Sequence, residues 1–266
     1  MKHHWPEIDP PIKSGPLPKI TIAVQCHNFE RRFGWMLASL AAQSRERLIS
    51  VDVAFLRSAE KMSKVEETCR RYDDKLAMRY RGYNLDRLQY RGLTRTDQLQ
   101  ECETEWIMFA DCDMVYHPKY FEALSSFLSG HPRAKHMFSS GRMSNDKETA
   151  NQVVNAFGDD PPNIGTAYET ACRIPGAVRR GNVGAGFCQI VNVKHCPHGG
   201  YYVKPEENRD RSWAKGSLPK SDMQFRKRIN RDGGPRQALP EWFDLTAIHL
   251  NHDRDPDAGF HLETQR

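Results

Sequence analysis

The sequence predicts an α/β protein built on a doubly wound, mostly parallel sheet. Through the first 118 residues, short apolar runs typical of buried strands alternate with segments whose apolar residues recur at helical spacing, which is the pattern of repeated βαβ units. The composition, 38% apolar and 27% charged over 266 residues, is that of a globular chain long enough for one large α/β domain or two small ones. Two carboxylates, Asp111 and Asp113, follow the fourth apolar run, at the sheet edge where such folds bind ligands.

The N-terminal segment differs from the rest of the chain. Residues 1–18 contain five prolines, so we expect an extended arm ahead of a single domain over residues 19–266. The arm lacks the apolar stretch of a signal peptide, and no window approaches the run of about 18 apolar residues that spans a membrane. The seven cysteines include no CxxC pair, which indicates reduced thiols. We therefore expect a cytoplasmic protein of a bacterium or a virus-infected cell, without integral membrane association.

Four strands and three helices are predicted in the first half. The strands are KITIAVQC (19–26), LISVDVAFL (48–56), KLAMRYRGY (75–83) and EWIMFAD (105–111). The helices are ERRFGWMLASLAAQ (30–43), SAEKMSKVEETCRRY (58–72) with Ser58 as its N-cap, and TRTDQLQECET (94–104).

The second half is expected to be richer in loops. KYFEALSSFLSG (119–130) predicts a helix that Gly130 ends, whereas residues 142–181 predict loops and short helices. GNVGAGFCQIVNV (181–193) predicts a strand behind a glycine-rich segment, and SDMQFRKRINRDGG (221–234) predicts a helix. The segment from residue 244 to 260 predicts a short strand that leads into His249 and His252.

The D-x-D of residues 111–113 indicates a cation site. Two carboxylates one residue apart repel each other, and a buried strand end tolerates them only beside positive charge. Hard divalent cations prefer carboxylate oxygens, so Mn²⁺ or Mg²⁺ is expected. The alternative is a helix N-cap next to a surface carboxylate, because a D-x-D taken alone is common in acidic loops.

Positive charge is concentrated in residues 204–236. This stretch holds ten Lys or Arg and five Asp or Glu, an excess that equals the formal net charge of +5 of the whole chain. It is either a solvated surface segment or a patch that meets a polyanion or a phosphorylated ligand.

Other site types are disfavoured. His195, Cys196 and His198 could offer zinc ligands, but no second ligand pair lies at zinc-finger spacing. The chain has no G-x-x-x-x-G-K-[ST] phosphate loop and no G-x-S-x-G nucleophile motif. The glycines of GAGF lack the strand–glycine–helix context of a dinucleotide site.

The order of the motifs resembles the nucleotide-sugar glycosyltransferases of the GT-A fold, in particular the family 2-like group. The matching segments are ITIAVQCHNFERRFGWMLASLAAQ, RGLTRTDQLQECETEWIMFADCDMVYHPKYF, VGAGFCQIV, GGYY, SDMQFRKRI and HLNH. They span roughly residues 19 to 255. The resemblance implies that residues 19–118 hold the nucleotide sugar and residues 119–266 the acceptor. It also implies metal-dependent transfer of a hexosyl or pentosyl group to an acceptor hydroxyl, with inversion.

The resemblance assigns the donor side of the site residue by residue. Asp113 matches the carboxylate that binds the metal, and Asp111 the one that touches the ribose or the metal shell. Arg95 matches a basic residue that neutralises the diphosphate, although Thr96 and Asp97 depart from the family pattern. Gln25 and Asn28 fall where nucleotide contacts are expected, with a polar turn cap as their alternative. The family's base-reading aspartate has no clear counterpart, and a UDP-sugar is expected because uridine is the common base.

The C-terminal half carries the remaining assignments. Asp222 matches the family's catalytic base, with Ser221 in place of the usual glutamate, and a helix N-cap is its alternative. A C-terminal histidine often completes the family's metal shell. His252 is the favoured candidate for that ligand, and His249 is the alternative.

Gly184 and Gly186 are expected on the acceptor side. The basic stretch flanks Asp222, so we expect a hydroxymethylated pyrimidine in DNA of the phage type, flipped from the duplex. Trp213 could stack on such a base or serve as a structural anchor. The alternatives are a bacterial surface-glycan glycosyltransferase, a metal-dependent phosphoryl-transfer enzyme, or a non-catalytic sugar-nucleotide binder. The sequence leaves the oligomeric state open.

Overall fold

The computed structural model describes residues 15–27, 29–57, 62–88, 91–180, 188–196, 225, 229 and 236–252. Within these ranges the chain forms two β-sheets flanked by helices. The strands are β1 (Ile20–Cys26), β2 (Ile49–Leu56), β3 (Met78–Tyr83), β4 (Trp106–Asp111), β5 (Met114–Tyr116), β6 (His136–Phe138), β7 (Gly141–Asn145), β8 (Gly176–Arg180), β9 (Cys188–Asn192), β10 (Arg236–Ala238) and β11 (Ala247–His249). The helices are α1 (Glu30–Ala41), α2 (Lys64–Arg70), α3 (Leu85–Leu88), α4 (Arg91–Gln100), α5 (Tyr120–Ser129), α6 (Lys147–Phe157), α7 (Ala167–Arg173) and α8 (Glu241–Thr246).

The larger sheet has the strand order β10–β6–β9–β4–β1–β2–β3 in the described part of the chain. β1 is parallel to β2 and β4, and β2 is parallel to β3. β9 is antiparallel to its neighbours β4 and β6. The predicted α/β class with a mostly parallel sheet is therefore confirmed. Helices cover both faces of such a sheet, which explains why β1 and β4 read as continuous apolar runs.

The smaller sheet has the order β5–β11–β7–β8 among the described strands. β11 lies antiparallel to β5 and parallel to β7, and β8 is antiparallel to β7. Its apolar face packs against Trp35 of α1 and Val154 of α6, with Ile248 and Leu250 in the same cluster. This sheet and the segment that follows β11 carry His249 and His252 to the end of β4.

Two local predictions were wrong. α2 begins at Lys64, and Ser63 rather than Ser58 caps it, because the Ser63 hydroxyl accepts a hydrogen bond from the Glu66 N–H at 3.1 Å. The spacing S-x-x-E is that of a capping box. Residues 142–181 were expected to form mostly loops and short helices; the helices α6 and α7 are present, but most of β7 and all of β8 also lie there and were not predicted. β7 contains polar residues although most of the strand is buried, and β8 is short and partly exposed, so neither sequence has the apolar run that marks a buried strand.

The helix predicted at 119–130 and the strands predicted within 181–193 and before His249 are present as α5, β9 and β11, whereas β6, β10 and α8 were not predicted. Phe225 and Ile229 are helical and buried, as the predicted helix over residues 221–234 requires. Among the described helices, none combines the length and apolar character needed to cross a bilayer.

Candidate active site

The link between the two sheets forms the floor of a cleft. β4 ends at Asp111 and β5 begins at Met114, so the D-x-D lies at the junction. The cleft measures about 900 Å³. It is lined by the ends of β1 and β4, the start of α4, parts of β7 and β8, and the residues around His249 and His252.

Asp113 and two histidines converge in this cleft. Oδ2 of Asp113 lies 2.9 Å from Nε2 of His249 and 3.1 Å from Nε2 of His252. The candidate ligand atoms of the three residues lie within 4.8 Å of one another. Within the described part of the chain, Asp113, His249 and His252 are the group of His, Cys, Asp or Glu side chains that could hold a metal ion. Sequence reasoning favoured His252 over His249, and the structure brings both to the carboxylate.

Different elements hold the two imidazoles. His249 ends β11, where its strand register pairs it with Ser144 of β7. Nδ1 of His249 lies 3.1 Å from the hydroxyl oxygen of Ser144, which leaves Nε2 for Asp113. His252 lies beyond the strand, with its ring centroid 4.5 Å from that of Phe29. One imidazole is therefore held by a sheet, and the other by the segment that follows it.

The surroundings keep Asp113 ionised. Burial alone would raise its pKa, but both histidines, together with Arg142, hold the pKa of Asp113 well below its usual range. Its second oxygen, Oδ1, is buried and has no hydrogen-bond partner among the described residues. A buried carboxylate oxygen without a partner is costly. One carboxylate and two imidazoles are also acceptable ligands for a divalent transition metal, so the donor set fits such an ion.

Asp111 faces arginines instead of the two histidines. Its carboxylate lies 3.5 Å from Nη1 of Arg142 on β7 and 4.0 Å from Nη1 of Arg91 at the start of α4. The Asp111 side chain is 31% exposed, so this charge cluster lies at the accessible side of the cleft. The metal contact predicted for Asp111 stays a prediction.

Arg95 and Gln25 also line the cleft. Arg95 is buried, and its guanidinium carbon lies 5.2 Å from the centroid of the Phe109 ring. Gln25 donates from Nε2 to the carbonyl oxygen of Leu88 at 2.5 Å and accepts from the Thr94 hydroxyl at 3.2 Å. The nucleotide-binding roles of Arg95 and Gln25 remain predictions.

The other predicted site residues lie outside the described residues. They are Asn28, Gly184, Gly186, Trp213 and Asp222, as well as the alternative zinc ligand His198.

Sequence reasoning missed several polar residues of the cleft. They are Arg91, Arg142, Ser144, Lys147 and Arg179. Arg91 precedes Arg95 by one helical turn, so helical spacing alone could have identified it. The others lie on β7, α6 and β8, in the region where strands were not expected.

Comparisons with known proteins support the fold. No protein-family model matches the chain, and no curated protein matches it. The mannosyltransferase PcManGT from Pyrobaculum calidifontis, in complex with GDP-Man and Mn²⁺, superposes with a TM-score of 0.58 at 13% identity, over 96% of this chain and 64% of that one. TarS from S. aureus, residues 1–349, gives 0.56 at 14% identity, over 87% and 60%. The chain has a GT-A-like glycosyltransferase fold.

The same TarS fragment in complex with UDP gives a TM-score of 0.54 at 14% identity, over 83% of this chain and 57% of that one. The chain thus covers between 57% and 64% of the length of these three structures. In open α/β sheets, ligands bind beyond the carboxyl ends of the parallel strands, and the end of β4 is one of these. The cluster of Asp113 and the two histidines lies at this edge.

Proposed function

We propose that this chain transfers a sugar from a nucleotide sugar to an acceptor hydroxyl with the help of a divalent cation. The observation that carries the proposal is the convergence of Asp113, His249 and His252 at the end of β4 in a glycosyltransferase fold. A mannosyltransferase of this fold was solved with GDP-Man and Mn²⁺, and TarS with UDP. These complexes support a nucleoside-diphosphate sugar as the donor, and uridine is expected because it is the common base of the resembled family.

Asp113, His249 and His252 would hold the cation. A ligand set with two imidazoles suits Mn²⁺ better than Mg²⁺, which prefers oxygen ligands and retains its waters. When bound, the cation supplies positive charge that stabilises the leaving nucleoside diphosphate. We therefore take Mn²⁺ as the cofactor.

Arginines would complete the diphosphate site. Arg91 and Arg142 are drawn together by Asp111 at the accessible side of the cleft. A guanidinium matches two phosphate oxygens at once, and such charge-assisted bonds are among the strongest in proteins. Asp111 positions both groups and lies where the ribose contact of the family is expected. Arg95, deeper in the same wall, adds a third positive charge.

We assign activation of the acceptor hydroxyl to Asp222. A carboxylate can remove the hydroxyl proton as the oxygen attacks the anomeric carbon, which inverts its configuration. The assignment rests on the match of KSDMQF to the family's acidic motif.

For the acceptor we propose a hydroxymethylated pyrimidine in DNA. The basic stretch of residues 204–236 contains Asp222, and Lys147 and Arg179 add positive charge to the lining of the cleft. Both features suit a phosphate backbone, and binding should then weaken steeply as salt is raised. Trp213 could stack on the flipped base.

A transfer screen tests both parts of the proposal. Purified protein, Mn²⁺ and a panel of UDP- and GDP-sugars are incubated with DNA that contains 5-hydroxymethylcytosine or 5-hydroxymethyluracil. The nucleosides are then analysed by mass spectrometry. We expect a mass gain of one sugar on the modified nucleoside, absent with EDTA and absent in Asp113→Asn.

The other outcomes separate the donor from the acceptor. Mn²⁺-dependent cleavage of a nucleotide sugar without gain on DNA would keep sugar transfer and overturn the DNA acceptor, which favours a surface glycan. No cleavage or transfer from any nucleotide sugar would contradict the proposed function as a whole.

A further inference from the structure

We infer that Arg32 is a positioning residue that fixes His252 beside Asp113, an inference that rests on the proposed metal site. Arg32 lies in the first turn of α1 and is not among the residues that line the described cleft. It would therefore act on the site through the segment that carries His252, without contact to a substrate.

Arg32 joins two parts of the chain that are distant in sequence. Its Nε donates a hydrogen bond to the carbonyl oxygen of Leu250 at 3.2 Å. Its Nη2 donates to the side-chain oxygen of Asn151 on α6. The donors of a guanidinium lie in one rigid plane, so the contact with Asn151 also fixes the direction of the bond to Leu250. Arg32 is partly buried, which limits competition from water.

Leu250 is the main-chain point that this contact secures. Its N–H donates to the carbonyl oxygen of Asp113 at 2.9 Å, and its side chain is fully buried. β11 ends at His249, so strand pairing fixes His249 but does not extend to His252. The two hydrogen bonds of the Leu250 backbone, to Arg32 and to Asp113, therefore hold the chain between the end of β11 and His252.

α1 also touches the histidine directly. Phe29, at the N-cap of α1, packs its ring against His252. Since Arg32 lies one turn further along the same helix, the helix contacts the His252 segment at two points. His249 depends on neither contact, because Ser144 and the β7 pairing hold it. Loss of Arg32 should therefore release one imidazole and leave the other in place.

Manganese binding provides the test. The Kd for Mn²⁺ is measured by electron paramagnetic resonance in wild type, Arg32→Ala, His252→Ala and the double variant. We expect Arg32→Ala to raise the Kd about tenfold, the usual effect of removing an outer contact of a metal ligand. In the His252→Ala background the same change should have no further effect, because the two residues act as one unit. Pulsed spectra should show two imidazole nitrogens on Mn²⁺ in wild type and one in Arg32→Ala.

Arg31→Ala is the matched control. Arg31 neighbours Arg32 on the same helix. Among the described residues, its side chain bonds to Asp159, through Nε at 3.0 Å, and to Asn155, but not to the His252 segment. Its loss should leave the Kd for Mn²⁺ unchanged. If thermal unfolding shows that Arg32→Ala does not fold, Asn151→Ala removes the second anchor of the guanidinium and should raise the Kd by a smaller factor.

Any one of three results would overturn the inference. A wild-type Kd in Arg32→Ala, or in Asn151→Ala where that variant is used, would remove the positioning role and leave the metal site intact. A further loss of affinity in the double variant would show that Arg32 acts elsewhere. A wild-type protein that takes up no Mn²⁺ would overturn the proposed metal site together with this role.

Discussion

Asp113 receives contacts from both imidazoles of the site, and its charge is buried. Asp113→Asn keeps the shape of the side chain but removes the charge that would bind a cation. We expect this variant to weaken Mn²⁺ binding by about 100-fold or more and to abolish sugar transfer, measured by metal titration and by the transfer screen.

The control for this variant is Asp159→Asn. Asp159 is an exposed carboxylate paired with Arg31 and Lys64, remote from the cleft lining. It should bind Mn²⁺ like wild type. An Asp113→Asn protein that still binds Mn²⁺ with wild-type affinity would refute the ligand role.

Ser144 contacts the ring nitrogen of His249 that does not face Asp113. For Nε2 to act as a ligand in the neutral ring, the proton must reside on Nδ1, and the Ser144 hydroxyl oxygen, 3.1 Å away, would then accept a hydrogen bond from it. Ser144→Ala removes that acceptor, so the Kd for Mn²⁺ should rise about tenfold. Ser140→Ala serves as the control, since the Ser140 hydroxyl bonds to Asp244 at 2.7 Å. Equal affinities in the two variants would argue against this role.

At the scale of elements, the close approach of β8 to β7 supports the site. A Cβ added to Gly176 would lie 2.7 Å from the carbonyl oxygen of Ser144, so Gly176→Ala must push the two strands apart. We expect a loss of about 2 kcal/mol in the free energy of unfolding and weaker Mn²⁺ binding, because Ser144 moves away from His249. Gly165→Ala, with no atom within 4 Å of the added Cβ, should change neither quantity. A Gly176→Ala protein with the same free energy of unfolding in urea as Gly165→Ala would contradict the account.

An ion cluster around the buried Asp52 joins β2 to β3, and its residues do not line the cleft. The Asp52 side chain is 2% exposed and accepts hydrogen bonds from Arg79 and from Arg81. Asp52→Ala leaves both arginines without this partner, so we expect a loss of about 3 kcal/mol in the free energy of unfolding. The exposed pair of Asp74 and Lys75 offers a control, because Asp74→Ala should cost less than about 1 kcal/mol. Comparable losses in the two variants would refute the structural role of Asp52.

The sequence predicted most elements but fewer of their boundaries. β1, β2 and β4 are buried strands of a parallel sheet, and a continuous apolar run is a strong local signal. β7 and β8 carry polar residues such as Arg142 and Arg179, so periodicity alone gave no strand. β7 and β8 form strands through their pairing in the smaller sheet, which the local sequence does not reveal.

The site residues that belong to a local sequence motif could be predicted from the sequence. Asp113 follows a strong strand, and His252 belongs to a recognisable C-terminal motif. Ser144 and Arg142 could not be found in this way, because they reach the site through the pairing of β7 with β11, which lie about 105 residues apart. Sequence periodicity does not specify which strands become neighbours.

At the scale of the whole molecule, the two sheets meet at the D-x-D and carry complementary parts of the site. The link that follows β4 of the larger sheet supplies Asp113, while the smaller sheet supplies His249 and Arg142. A nucleoside diphosphate bound in the cleft would therefore contact both sheets. The cluster around Asp113 lies where the two sheets meet. We therefore expect nucleotide binding to require the cation that this cluster would hold.

Titration calorimetry of UDP and GDP, with Mn²⁺ and with EDTA, tests this requirement most directly and needs no acceptor. We predict that one of the two nucleotides binds the wild-type protein in the presence of Mn²⁺, and that EDTA or the Asp113→Asn change removes the binding. Binding of equal strength in EDTA, or no binding of either nucleotide with Mn²⁺, would contradict the account.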